Sequence, residues 1–183
     1  MKRELRLYFP KVKIKWGALA LFALAIQAIA ILMPLGLDDI PKRLLFVLSY
    51  LFLLIFIARN LRRPAIAIIG IGVLLNMLPI VANGGLMPIT AENLAKAGQT
   101  RHIEGKREGD AIPYSKNVLK SKETTHFYEL SDRLVWDNSF FIRVFSVGDV
   151  VIAGGLVITL GDLFLPRVKR EARRSENASR VNP

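Results

Sequence analysis

Polar side chains inside long apolar stretches are the residues of this 183-residue chain that could do chemistry. An ionisable or amide group surrounded by lipid is costly, so each such group points to a function, a buried partner or both. The candidate functional or interhelical polar residues are Gln27, Asn76, Asn83, Asp149 and Asp162.

The two carboxylates, Asp149 and Asp162, stand near opposite ends of the last apolar stretch. Thirteen residues on one helix separate them by about 20 Å, so they cannot share a proton as a catalytic pair does. We expect Asp149 to cap backbone amides or to meet Arg143. We expect Asp162 to pair with a nearby basic residue such as Arg167. Ion or proton handling is the alternative for both.

The amides of Gln27 and Asn76 each lie about ten residues into an apolar stretch, near the middle of a bilayer if both stretches are helices. We expect them to hydrogen-bond to each other against a glycine patch at Gly154 and Gly155. Such a pair contributes only about 0.6–2 kcal/mol, so its role is helix packing. The alternative is that the two amides line a substrate path.

The sequence predicts no catalytic residue, no cofactor and no metal site. The chain has no cysteine, which excludes disulfides, thiolate metal sites and iron–sulfur clusters. His102 and His126 have no partner at metal-ligand spacing, and no serine has a nucleophile-elbow context. Aromatic and basic residues do not alternate as in a base-stacking surface, so nucleic acid is not an expected partner.

Four apolar stretches carry these polar groups, and about 20 apolar residues suffice to cross a bilayer as a helix. The sequence therefore predicts an all-α integral membrane protein with four transmembrane helices and a long, partly structured extracytoplasmic loop. The predicted spans are residues 17–35, 44–58, 65–83 and 145–164, and the loop is 84–144. Residues 1–165 form one membrane domain, followed by a basic cytoplasmic tail, 166–183.

The distribution of lysine and arginine predicts the orientation. The net charge is +11, and the basic residues cluster before the first span, between the second and third, and after the fourth. With four spans these clusters share one side, which is the cytoplasm by the positive-inside rule. Both termini are therefore expected in the cytoplasm, with anionic lipid headgroups as partners there.

Four local features are also expected. The second span, apolar nearly all round, should be the most lipid-exposed helix. Leu86 and Met87 should lie on the membrane surface after the turn at Gly84 and Gly85. Thr90 should cap a short helix, residues 91–97, that stops at Gly98. Trp136 is expected to be an interfacial anchor.

Two motifs resemble a bacterial membrane family catalogued as domain of unknown function 5317. They are NGGLMPITAENLAKAG at Asn83–Gly98 and FSVGDVVIAGG at Phe145–Gly155. The likeness covers the chain from about Trp16 to Leu165. It implies a protein of the bacterial cytoplasmic membrane and carries over no catalytic residue.

Three functions remain open on the sequence. The first is a non-enzymatic accessory or interaction subunit, which forms a homo-oligomer or joins a membrane complex. The second is a small transporter or channel component that uses Gln27, Asn76, Asn83 and Asp149. The third is a membrane enzyme with a site at the outer face, which requires a carboxylate and a histidine within hydrogen-bond reach.

Overall fold

The computed structural model describes residues 5–8, 14–32, 40–136, 144–164 and 167–170. The chain is mostly helical. Its helices are α1 (Gly17–Leu32), α2 (Ile40–Asn60), α3 (Pro64–Ala82), α4 (Ala91–Lys96) and α5 (Val147–Phe164). Its strands are β1 (Leu5–Tyr8), β2 (Met87–Ile89), β3 (Asn117–Leu119), β4 (Leu134–Val135), β5 (Val144–Phe145) and β6 (Arg167–Arg170).

Three helices, α2, α3 and α5, are long and apolar enough to cross a membrane, and α1 is an apolar helix of 16 residues. The predicted end of the first span, residues 33–35, lies outside the described residues. The second helix is longer than predicted. It takes in Lys42 and Arg43 at its start and Asn60 at its end, because these side chains bond to backbone beyond the helix.

Neighbouring helices run in opposite directions. The side chain of Asn60, at the end of α2, bonds to the backbone N–H and carbonyl of Lys15, just before α1. Arg43, at the start of α2, donates to the Gly84 carbonyl just after α3, at 3.0 Å. Asn76, near the end of α3, bonds to Asp149 in the first turn of α5. The helices therefore alternate in direction along the chain.

The helices pack in the order α1, α2, α3, α5. The prediction that the second span is the most lipid-exposed helix is wrong, because α2 lies between α1 and α3. Of the three long helices, α5 has the smallest buried share.

Residues 84–136 form a folded cap at one end of the helices. Strands β2 and β3 pair in parallel, Asp132 forms a single bridge to Ile89, and β4 pairs with β5 immediately before α5. Thr90 caps α4 through its side chain, and Gly98 follows with φ +66°, as predicted. The prediction for Leu86 and Met87 is wrong. Both are fully buried, because the core of the helices continues through them into Ala111 and Val118 of the cap.

Residues 5–8 and 167–170 meet in a ribbon that the sequence did not predict. Strand β1 pairs antiparallel with β6, with Leu5 opposite Arg170 and Tyr8 opposite Arg167. The first residues of the predicted tail are therefore a strand, and residues 171–183 lie outside the described residues. The division into one membrane domain and a tail stays a prediction.

Candidate functional site

The first turn of α5 is built by a reciprocal cap between Ser146 and Asp149. The backbone N–H of Asp149 donates to Ser146 Oγ at 3.1 Å, and the Ser146 N–H donates to Asp149 Oδ2 at 3.0 Å. A helix start leaves its first N–H groups without partners, and a serine followed three residues later by a carboxylate satisfies two of them. The prediction that Asp149 caps backbone amides is confirmed.

Asn76 joins α3 to the Ser146–Asp149 pair at the start of α5. Its Nδ2 donates to Asp149 Oδ1 at 2.7 Å, and its Oδ1 accepts from Ser146 Oγ at 2.6 Å. The approach depends on Gly148, because a Cβ there would lie 2.7 Å from the Gly72 carbonyl oxygen and would also overlap Asn76 Oδ1. Small residues thus let two helix backbones touch where the amide crosses between them.

Lys116 from the cap lies between two carboxylates. Its Nζ is 2.9 Å from Asp149 Oδ2 and 3.3 Å from Asp132 Oδ1. The Asp132 side chain is 2% exposed, against 24% for Lys116 and 32% for Asp149. We call these three residues the ion cluster. It connects the apolar helix α5 with the cap by a charged contact that is buried on the Asp132 side.

The strands of the cap hold Lys116 and Asp132 in place. Lys116 precedes β3, and its carbonyl accepts from the N–H of Met87 in β2 at 2.9 Å. Asn117 donates from Nδ2 to Asp132 Oδ2 at 2.8 Å, and Asn93 of α4 donates to the Asp132 carbonyl at 3.3 Å. The other carboxylate oxygen, Asp132 Oδ1, has only the Lys116 ammonium, 3.3 Å away, as a partner among the described residues.

Burial and the charges of the ion cluster shift the pKa values of Lys116 and Asp132, its two members in the cap. Burial lowers the pKa of the Lys116 ammonium, but attraction to Asp132 and Asp149 outweighs burial and keeps that pKa above its usual range. Burial raises the pKa of the Asp132 carboxyl, and Lys116 offsets this only in part. The buried Tyr50 of α2 lies close enough to interact electrostatically with all three charges. Lys116 is therefore a firmly protonated cation and is unsuited to act as a base.

Asn83 ties the end of α3 to a second part of the cap. Its Nδ2 donates to the carbonyls of Pro79 and His126 at 2.7 and 2.8 Å, and its Oδ1 accepts from the His126 N–H at 3.0 Å. Arg43 of α2 holds a third part through the carbonyls of Gly84 and Gly109. The cap is thus fastened to α2, α3 and α5.

The structure brings Asn76, Asn83 and Asp149 to the cap end of the helices, and leaves Gln27 and Asp162 elsewhere. Gln27 is half-buried on α1, and Asp162 lies in the last turn of α5, about 20 Å along the helix from Asp149. The predicted hydrogen bond between Gln27 and Asn76 is wrong. Since α1 packs on α2, the Asn76 amide finds its partners on the neighbouring α5.

Among the described residues, the partners of the Asp149 carboxylate are Lys116, Asn76 and Ser146, and the described histidine side chain, His126, is not one of them. His126 is bound through its backbone, and the side chain of His102 lies outside the described residues, as does Arg143. Within the described part of the chain, no group of three potential metal ligands comes together. The chemistry that this arrangement supports is charge pairing and the positioning of the cap.

Sequence reasoning missed Lys116, Asp132 and Asn117, which lie in the long loop among many other polar residues. Their meeting depends on the pairing of β2 with β3 and on the bridge from Ile89 to Asp132, none of which has a local sequence pattern. Only two apolar residues, Val118 and Leu119, follow Asn117, which is too short a run to indicate a buried strand.

Two motifs resembled a family in the sequence. The motif Asn83–Gly98 contains Asn83, which is bonded to His126, and Thr90, which caps α4. The motif Phe145–Gly155 contains the Ser146–Asp149 pair. A family model, described as a family of unknown function (DUF5317), matches residues 11–161. The chain belongs to this family. No curated protein and no solved structure matches the chain. The matched range holds the ion cluster and Asn76, so the site lies within the family's own segment.

Proposed function

We propose that this DUF5317 protein is a multi-pass protein of the bacterial cytoplasmic membrane that acts as a non-enzymatic accessory or interaction subunit. In this proposal four helices cross the membrane and both termini lie in the cytoplasm. The folded cap lies outside, where it presents a fixed surface to a partner protein or to a second copy of the chain.

The number of spans is supported by contacts at the ends of the chain. Strands β1 and β6 pair with each other, so they lie on the same side of any membrane. The chain between them must then cross an even number of times. Since α2, α3 and α5 each have the length and apolarity of a span, an even number supports our proposal that α1 is the fourth. Its 16 residues cover about 24 Å, somewhat less than the roughly 30 Å hydrocarbon core.

Basic residues support the orientation. The ribbon of β1 and β6 contains Arg6, Arg167, Lys169 and Arg170 and no acidic residue. β6 begins three residues after α5 ends, so the ribbon starts within about 10 Å of the helix end. Arg59 and Arg62 lie at the same end of the helices, near Lys15. Anionic headgroups of the cytoplasmic leaflet attract such a surface.

The observation that carries the non-enzymatic role is the pairing of Lys116 with Asp132 and Asp149. The charged groups at the junction of cap and helices are engaged with each other, and Ser146 is committed to the helix cap and to Asn76. A nucleophile or a general base needs a group with reach toward a substrate. The junction instead has the features of a structural contact.

Cross-linking in intact membranes, followed by purification in mild detergent, tests the proposal. We expect a stoichiometric partner or a homo-oligomer. The variant Lys116→Met, in which the cap is no longer held by the ion cluster, should lose that partner, whereas the surface variant Lys120→Met should keep it. A chain that remains monomeric and partnerless after cross-linking contradicts an interaction role.

One observation favours a second candidate, a small transporter or channel component. Asp132 Oδ1 is buried, and its one partner among the described residues is the Lys116 ammonium at 3.3 Å, so this carboxylate oxygen keeps acceptor capacity for a proton or a small cation. Proteoliposomes with the purified chain test this by proton flux under an imposed pH gradient. A flux that Asp132→Asn abolishes would replace the first proposal with the second.

A further inference from the structure

The cap exposes three aromatic side chains that the ion cluster does not use. Tyr114 is 68% exposed, Phe127 54% and Trp136 60%. Aromatic rings that bury their area contribute strongly to stability, so three such rings left uncovered on one small cap point to a surface that something else covers.

Two of these exposed residues, Tyr114 and Phe127, have a strained backbone conformation. Tyr114 has φ +52° and Phe127 has φ +56°, in the left-handed region that bulky residues rarely occupy. Such conformations persist where neighbouring contacts impose them, and they collect at functional surfaces. Here Phe127 is held between His126, which is bound to Asn83, and a turn of 3-10 helix at Tyr128–Leu130.

All three rings sit next to residues that contact the cap ends of the long helices. Tyr114 is two residues from Lys116, which binds Asp149 in the first turn of α5. Phe127 adjoins His126, whose backbone is bonded to Asn83 at the end of α3. Trp136 follows β4, whose partner β5 runs directly into Ser146 and α5. The rings are therefore close to the level at which α3 and α5 leave the apolar region.

We propose that Tyr114, Phe127 and Trp136 form an aromatic belt that inserts into the headgroup region of the outer leaflet, so that the cap rests on the lipid bilayer. This inference rests on the proposed membrane crossing of the helices. The belt residues adjoin residues that contact the cap ends of α3 and α5, and aromatic side chains are enriched at the membrane interface.

The opposite end of the molecule has a counterpart. Trp16, just before α1, also has a left-handed backbone, with φ +56°, and is 52% exposed. The Arg59 guanidinium lies 4.4 Å from its ring centroid, which is a cation–π contact. Exposed aromatic residues thus occur at both ends of the helices.

Single-tryptophan reporters in proteoliposomes test the belt. The chain has two tryptophans, Trp16 and Trp136, so Trp16→Phe leaves Trp136 as the only reporter. In the background that lacks both, Tyr114→Trp and Phe127→Trp report on the other two positions. Glu104→Trp is the control on the cap surface, and Leu156→Trp is the control within a span.

Each reporter is measured in vesicles of phosphatidylcholine and in vesicles of the same lipid brominated on its acyl chains. Tryptophan at 114, 127 and 136 should have blue-shifted emission, lose much of its intensity in brominated lipid and resist aqueous acrylamide. Tryptophan at 104 should behave in the opposite way.

The span control separates two kinds of failure. If brominated lipid quenches tryptophan at 156 but not at the belt positions, the belt is wrong while the membrane crossing stands. If position 156 also escapes quenching, the membrane crossing itself fails. Belt reporters shielded from both lipid and acrylamide would show that protein, such as a second copy of the chain, covers this surface, and would overturn the inference.

Discussion

The ammonium of Lys116 lies 2.9 Å from Asp149 Oδ2, and this contact joins a residue of the cap to the first turn of an apolar helix. The other oxygen of the same carboxylate, Asp149 Oδ1, accepts a hydrogen bond from Asn76 on α3. One side chain on α5 therefore fixes both the packing of two helices and the position of the cap.

Removal of the cation at this junction should destabilise the cap strongly. Lys116→Met leaves Asp132 and Asp149 without their shared cation, and the loss of one partner from a buried pair costs about 3–5 kcal/mol. We expect an effect near the lower end, since Asp149 is partly exposed. Thermal unfolding in detergent measures it. Lys120→Met, a nearby cap lysine outside the cluster, should change stability by less than about 0.5 kcal/mol. Equal effects of the two variants would refute the special role of Lys116.

The charge on Asp132 should make stability depend on acid pH. Burial raises the pKa of this carboxyl above its unfolded value of 3.8, so the folded protein binds the proton more tightly than the unfolded chain. This contribution to stability is complete below pH 3.8 and is lost as the pH rises through the raised pKa. Relative to Asp132→Asn, the natural protein should therefore gain thermal stability as the pH falls from neutral.

The control for this pH profile is Glu129→Gln, which removes a charge from an exposed ion pair on the cap. Its stability difference from the natural protein should lack the rise at acid pH that Asp132→Asn shows. A difference between the natural protein and Asp132→Asn that is flat from neutral to acid pH, or that runs in the reverse sense, would disprove the assignment.

Two glycines of α5 should respond in opposite ways to alanine. At Gly148 a Cβ would lie 2.7 Å from the Gly72 carbonyl oxygen, so Gly148→Ala must separate α3 from α5 at a cost of about 1–3 kcal/mol. At Gly154 a Cβ would meet nothing within 4 Å, so Gly154→Ala should be neutral or should stabilise the helix by up to about 1 kcal/mol. Thermal midpoints of the two variants compare them directly, and a reversed order would rule out this packing.

Removal of the Asn76 amide and removal of the Gln27 amide should have different effects on stability. Asn76→Leu removes the partner of both Ser146 and Asp149 and should cost about 1–3 kcal/mol. Gln27→Leu removes an amide on α1 that makes no hydrogen bond to the described residues, so its effect on stability should be small. A loss of stability for Gln27→Leu as large as that for Asn76→Leu would restore the pairing that the sequence first favoured.

The difference between Gln27 and Asn76 shows where sequence reasoning stops. Apolar runs located the four long helices to within a few residues, because an uninterrupted apolar run of helix length is a local feature of the sequence. The choice of neighbours is not local, and α2 separates α1 from α3. The Ser146–Asp149 cap spans three residues and could be predicted, whereas Lys116 and Asp132 meet only through strands that join distant parts of the loop.

Cysteine accessibility tests the membrane topology, on which the other conclusions depend. The natural chain has no cysteine, so Glu104→Cys in the cap and Arg62→Cys between α2 and α3 each carry one thiol. In intact cells a membrane-impermeant maleimide should label position 104 at once and position 62 only after the membrane is opened. Labelling of both positions in intact cells, or of position 62 alone, would contradict the proposed topology, in which four helices cross the membrane and the cap lies outside.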